Sequence, residues 1–135
     1  MQLNPSLAFN GTAEEALALY RKALGGEVQV MRFAETPVAE QVCDDFKNKV
    51  IYGTLISPLG TIAAMDCPPE RGGQPGKNFS IAVHVDSASQ ADSVFTTLAA
   101  EGEITMPLDK TFFSERFGML TDKFGVSWMI NYAKN

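Results

Sequence analysis

With 135 residues, 45% of them hydrophobic and 20% charged, the chain has enough apolar material for one globular domain or for two small repeated halves sharing a core. A formal charge of −5 and a pI near 4.8 exclude the basic patch that a nucleic acid or an anionic membrane surface would require of a partner. No run approaches the roughly 20 apolar residues of a membrane span, no secretory leader is visible in Met1–Pro5, and Cys43 and Cys67 form no Cys-x-x-Cys pattern. The expectation is a cytoplasmic protein with two reduced thiols.

Taken in order, Leu3 to Phe9 alternates apolar with small polar residues, which predicts a short strand with Pro5 near its start. Asn10-Gly11 breaks it, and Thr12-Ala-Glu-Glu15 has the form of a capping box. Ala13, Ala16, Leu17, Tyr20 and Leu24 recur at helical spacing until Gly25-Gly26 ends the helix. A strand over Glu27–Phe33 precedes an aperiodic stretch from Ala34 to Asn48, read as a surface loop or lid. Val50–Ser57 and Thr61–Met65 then form a hairpin across Pro58-Leu59-Gly60.

Residues 67–77, rich in Pro and Gly, divide the chain almost in half. Its Arg71-Gly-Gly-Gln-Pro-Gly76 has neither the spacing nor the strand-to-helix context of a phosphate loop. Beyond it the pattern repeats: a strand over Phe79–Val85, a second capping box at Ser87–Gln90, and a helix carried by Ala91, Val94, Phe95 and Leu98. Strands follow near Ile104, over Arg116–Thr121 and over Val126–Tyr132, the last two joined by Asp122-Lys-Phe-Gly125. In the final strand Val126, Trp128, Ile130 and Tyr132 share one face, while Ser127, Met129 and Asn131 share the other.

The fold class is therefore α+β, two β-α-β-β-β modules forming one curved, mostly antiparallel sheet with helices on its outer face. The expected organisation is one domain over 1–135, with module 1 at about 1–66, a linker at about 67–77 and module 2 at about 78–135. A concave inner face is then the place for a ligand.

His84, the only histidine, falls on that inner face with Ser80 and Ala82, while Phe79, Ile81, Val83 and Val85 take the helix side. It can serve as a general base or polar handle, or simply as a strand-end histidine bonded near Asp86. Tyr52 and Thr54 share one strand face, as do Ser127, Met129 and Asn131. Together they offer hydroxyls, an amide and a soft apolar surface suited to an amphipathic small molecule. Phe112 and Phe113 can wall the cavity mouth, and Arg116 either meets an anionic ligand or pairs with Glu115. His84 with Asp66 and Cys67 matches no recognised metal spacing.

Three pieces carry a family resemblance: Phe9-Asn-Gly followed by Glu15-Ala16; Tyr20…Leu24-Gly-Gly-Glu27; and the long Arg116-Phe-Gly-Met-Leu-Thr-Asp-Lys-Phe-Gly-Val-Ser-Trp-Met-Ile-Asn131. With them the chain resembles the vicinal oxygen chelate superfamily of glyoxalases, bleomycin-resistance proteins and extradiol dioxygenases. Within it the match is to the PhnB-like branch, some members of which bear a methyltransferase label. The resemblance implies paired modules, a concave site and a homodimer. Metal-using relatives place four ligands at positions that fall here on Asn4 (or Ser6), Thr54, Ser80 and Met129, and a His common in PhnB-like relatives falls on Tyr52. None of these is a His or a carboxylate, so the resemblance implies neither a catalytic metal nor another cofactor.

The expected function is small-molecule binding, the lining being Asn4, Tyr52, Thr54, Ser80, His84, Phe113, Arg116, Met129 and Asn131. The alternative is a lyase, isomerase or dioxygenase of the same superfamily, either with an unrecognised metal site or with His84 and Tyr52 as an acid–base pair.

Overall fold

The computed structural model describes residues 3–37, 47–67 and 78–133. The Ala34–Asn48 loop is thus seen only at its ends, and Cys43, most of the 67–77 linker and the Arg71–Gly76 stretch lie outside the described residues. The chain divides into two compact units, 1–74 and 75–135.

The first unit runs β1 (Ser6–Phe9), α1 (Ala13–Leu24), β2 (Glu27–Arg32), a 3-10 turn at Phe33–Glu35, β3 (Val50–Ser57) and β4 (Gly60–Asp66). Its sheet has the order β1-β4-β3-β2, with β1 parallel to β4 and the other pairs antiparallel. The second unit runs β5 (Ile81–His84), α2 (Ala88–Ala99), β6 (Glu103–Asp109), β7 (Arg116–Thr121) and β8 (Ser127–Tyr132), in the matching order β5-β8-β7-β6. The β-α-β-β-β order expected from the sequence is present twice, and each copy closes its own four-stranded sheet.

In both units the helix covers one sheet face. α1 buries Ala13, Ala16, Leu17 and Tyr20 against β3, β2 and β4, and α2 buries Ala91, Val94, Phe95 and Leu98 against β7, β8 and β6. Each set follows the i, i+3, i+4, i+7 stripe of an amphipathic helix. A glycine marks the point of closest approach. A Cβ on Gly53 would stand 2.8 Å from Leu17 Cδ1, and one on Gly118 would stand 2.7 Å from the Phe95 ring. Side chains alternate along a strand, so these glycines fix the helix side and leave their neighbours on the opposite, open face.

The glycines that stop the helices are used alike. Gly26, with φ +102, lies so close to β3 that a Cβ would fall 2.2 Å from Ile56 O; a Cβ on Gly102 would fall 2.4 Å from Thr121 O, at the end of β7. A side chain fits at neither position. The shared contact is firmer evidence for duplication than the identities between the helices.

Buried carboxylates tie the strand ends. Asp66, closing β4, accepts from the backbone N–H of Gly11 (3.0 Å) and Ala13 (2.9 Å) through Oδ1, and of Val50 (3.0 Å) through Oδ2. Asp122, between β7 and β8, accepts from Phe124 N (2.9 Å) and Val126 N (3.1 Å) through Oδ1, and from Trp128 Nε1 (2.9 Å) through Oδ2. Gly125, with φ +89, takes the left-handed position of that hairpin and returns its N–H to Asp122 O.

The capping expectations change in detail. Thr12 precedes α1 but makes no side-chain cap: its backbone, at φ −113 and ψ 13, lies outside the extended region that an N-cap adopts, and Asp66 receives the N–H groups on either side of it. Ser87 does cap α2, accepting from Gln90 N at 3.1 Å. The Gln90 side chain returns to Asp86 N rather than to Ser87.

Glu14 in the first turn of α1 meets Arg32 at the end of β2, with Oε2–Nη2 at 2.6 Å and Oε1–Nη1 at 3.2 Å. The hydrogen bond from Arg32 is the largest effect on the Glu14 carboxyl; burial, the next, opposes it, and the charges of Arg32 and Lys49 add to it, so the carboxyl is held below its ordinary value.

Removing either carboxylate leaves buried donors without a partner: Ala13 N and Val50 N at Asp66, Trp128 Nε1 at Asp122. Asp66→Ala and Asp122→Ala should each lower unfolding stability by about 3 kcal/mol, read by urea denaturation of the purified variants. A loss no larger than that of an exposed control such as Asp92→Ala would contradict the role given to them. For Glu14, the lowered folded value means its stabilisation is complete above the unfolded carboxylate range and disappears as pH falls through the folded value. The fall in Tm from pH 6 to pH 3 should therefore be smaller in Arg32→Met than in the parent chain; equal slopes would refute the pairing.

Candidate functional site

In the second unit, strand register arranges the open face in rows. His84 pairs with Asn131 and Asn131 with Phe117; Ala82 pairs with Met129 and Met129 with Met119; Ser127 pairs with Thr121. Asp109 and Met106 of β6 continue the first two rows, and Glu103 the third. The opposite face carries Val83, Gly118, Leu120, Trp128 and Ile130, all buried. Most of the large apolar side chains are thus spent on the helix side. The open side is left with small, polar or thioether groups and the Phe117 ring.

A hollow of about 300 Å³ sits on this face, lined by Asn78, Phe79, Ser80, Met119 and Ser127. Three of these were not singled out from the sequence. For Phe79 in particular, extending the apolar alternation of Ile81, Val83 and Val85 predicts the helix side. The strand begins only at Ile81, so the alternation does not reach Phe79, which is exposed and lines the hollow.

At the far end of the face the contacts are polar. Asn131 joins two residues: its Nδ2 lies 3.2 Å from His84 Nδ1, and its Oδ1 lies 2.5 Å from Ser114 Oγ. Ser114 is buried in the turn before β7 and also lies 2.8 Å from both Arg116 O and Tyr132 O. Beside this group, Phe113 packs edge-on to Phe117 with ring centres 5.0 Å apart, and the fully exposed Phe112 leans edge-on against Phe113. His84 itself is exposed. Ser114 was not legible as a site residue; its only mark in the sequence was being a small residue next to Phe113.

Arg116 is the sequence candidate that the structure moves elsewhere. It pairs in register with Tyr132, two residues from Gly118 and Ile130, and so points to the helix side. There its Nε lies 3.9 Å from Asp92 Oδ1 of α2, and its Nη1 donates to Glu115 O. Its guanidinium does not join the open-face rows.

The remaining candidates belong to the first unit. Tyr52 and Thr54 lie on its open face, Tyr52 opposite Met31 and half exposed, Thr54 between Gln29 and Ala63. Asn4 is exposed and precedes β1.

The positions that hold metal in some relatives supply a poor donor set. Thr54, Ser80 and Met129 carry hydroxyls and a thioether, and Asn4 an amide, where a divalent catalytic ion wants three or so imidazoles or carboxylates aimed at one point. These side chains do not fit such an ion. Among the described residues no group of three or more His, Cys, Asp or Glu is placed to hold a metal. Asp66 is committed to backbone donors, and the neighbouring Cys67 is a free thiol.

Comparison with known proteins agrees with this architecture. The model of the Glyoxalase/Bleomycin resistance protein/Dioxygenase superfamily matches residues 2–130. Protein YjdN of Escherichia coli K12 is 31% identical, over 99% of this chain and 97% of its own. The crystal structure of PA1353 from Pseudomonas aeruginosa superposes with a TM-score of 0.88 at 36% identity, covering 100% of this chain and 99% of that one. The PhnB protein of Bacillus cereus, whose name proposes a 3-demethylubiquinone-9 3-methyltransferase, gives a TM-score of 0.78 at 28% identity, covering 98% of this chain and 100% of its own. The chain belongs to the glyoxalase/bleomycin resistance protein/dioxygenase superfamily and, within it, to the PhnB-like branch.

Proposed function

We propose that this protein binds a neutral or amphipathic small molecule on the open sheet face, without a catalytic metal, as a cytoplasmic homodimer of one domain per chain. The observation that carries the reading is the hollow lined by Asn78, Phe79, Ser80, Met119 and Ser127. An aromatic ring, a thioether, two hydroxyls and an amide can envelop an apolar body and orient one or two polar groups. A methyltransferase reading has little support. β1 enters α1 through Asn10-Gly11-Thr12 and β5 enters α2 through Val85-Asp86-Ser87, neither of which is a glycine-rich nucleotide turn. No described helix is long and apolar enough to cross a membrane.

The His84–Asn131 contact favours a second reading, a metal-independent acid–base enzyme with His84 as the catalytic group. Its proposed partner Tyr52 belongs to the other unit.

Native mass spectrometry of freshly purified protein should show a co-purified organic compound, with a subunit assembly near twice the 14.6 kDa chain. Elemental analysis should find no stoichiometric Zn, Ni, Fe or Mn. Met119→Trp, which fills the hollow from a half-buried position, should abolish retention of that compound while leaving the circular dichroism spectrum unchanged. Undiminished retention, or a stoichiometric metal in the parent protein, would overturn the proposal.

A further inference from the structure

The contacts of the Ser114 hydroxyl determine which nitrogen of His84 is free to act. Around Ser114 Oγ stand three oxygens, Asn131 Oδ1, Arg116 O and Tyr132 O, at 2.5, 2.8 and 2.8 Å. A hydroxyl has one proton and two acceptor sites. In this orientation of the Asn131 amide, one proton faces three acceptors and, among the described residues, no donor reaches the hydroxyl lone pairs, so at least one close oxygen–oxygen contact has no proton in it. Oxygen and nitrogen of an amide exchange places by a half-turn, and the network of partners decides between the two orientations.

We infer that Asn131 works in the turned orientation: its Nδ2 donates to Ser114 Oγ, Ser114 donates to a main-chain carbonyl, and its Oδ1 accepts from His84 Nδ1–H. The distances favour the change. An amide N–H donor wants about 2.9 Å from its acceptor, so the turned amide draws back from Ser114 by a few tenths of an ångström. That movement carries it toward His84, where the present 3.2 Å contact is long. Every group in the chain then has a partner of the opposite kind. Ser114 is buried and tied to the backbone at the turn before β7, so it is the fixed end of the chain.

The consequence for the site is specific. With Nδ1 protonated and engaged, the neutral imidazole keeps its lone pair on Nε2, the nitrogen turned away from Asn131. An exposed side chain on the open face thus presents an acceptor or base to an O–H or N–H donor of a small molecule. In the opposite arrangement Nε2 would carry the proton and could only donate. Asn131 and Ser114 are accordingly positioning residues. The ligand step rests on the binding reading above, but the tautomer is a property of the free protein, so the two can fail separately.

The single histidine makes the test direct, because imidazole signals from the full chain come from His84 alone. In protein labelled with nitrogen-15 in the ring, long-range proton–nitrogen correlation in mildly alkaline buffer should show a pyrrole-type Nδ1 and a pyridine-type Nε2. This is the reverse of the form an unconstrained histidine prefers. Asn131→Leu, at a half-buried position, should return the ring to the Nε2–H form, and Ser114→Ala should move it part of the way. An Nε2–H tautomer in the parent protein would overturn the inference, as would an Nδ1–H tautomer left unchanged by both variants.

Discussion

Asp66 and Asp122 are each buried, and each turns its two oxygens to three N–H groups, those of Asp66 coming from the β1–α1 turn and the start of β3 and those of Asp122 from within its own hairpin. A buried carboxylate is costly unless its lone pairs are answered by donors, and the donors here are backbone amides at strand and helix ends plus one indole. In the first unit this draws the β1–α1 turn, the start of β3 and the end of β4 to one point. In the second it closes the β7–β8 hairpin and sets the depth of Trp128, the largest fully buried side chain. Neither carboxylate sits on the open face, so the acids that hold the fold are not the acids available to a ligand.

Much of this was legible because it depends on period. The helix stripes through Leu17 and Tyr20 and through Val94 and Phe95, the alternation of Trp128 and Ile130 against Met129 and Asn131, and the Asp122–Gly125 turn follow from local spacing, and the structure reproduces them. What local spacing cannot supply is a contact between residues far apart in sequence. Thr12 has the composition of a cap, yet its side chain makes no cap bond, and the N–H at the helix start, that of Ala13, goes to Asp66, 53 positions away. Arg116 looked available to an anion until the register of β7 turned it toward Asp92. Ser114 bonds Asn131 across 17 positions, and no spacing rule points to that pair. Phe79 shows a further limit: an alternating pattern continues to look persuasive past the residue where the strand begins.

The duplication has a clear physical basis in the glycines. Gly53 and Gly118 let a helix side chain rest directly on the sheet, while Gly26 and Gly102 let the chain leaving each helix press against the backbone at the end of β3 and of β7. Four positions where a Cβ would clash fix the helix-to-sheet distance in both units. Residues around them can diverge with little effect on that distance, which is why the halves correspond in geometry more than in side chains.

The open face of the second unit inherits its character from this arrangement. Since the core side absorbs Trp128, Ile130, Leu120 and Val83, the side left over on β5, β7 and β8 is Ser127, Met129, Asn131, Met119, Phe117 and His84, with no carboxylate, ammonium or guanidinium among them. The nearest arginine on these strands is turned away to Asp92, and the edge strand brings Glu103 and Asp109 to the same rows. A multiply charged anion would meet acids at the rim and no guanidinium within, whereas an uncharged molecule with a hydroxyl or amide group would meet a soft apolar bed and one oriented imidazole. If the open face binds a small molecule as proposed, selection there turns on shape and on a single hydrogen bond, and the Asn131 amide orientation is the detail on which chemical discrimination would depend.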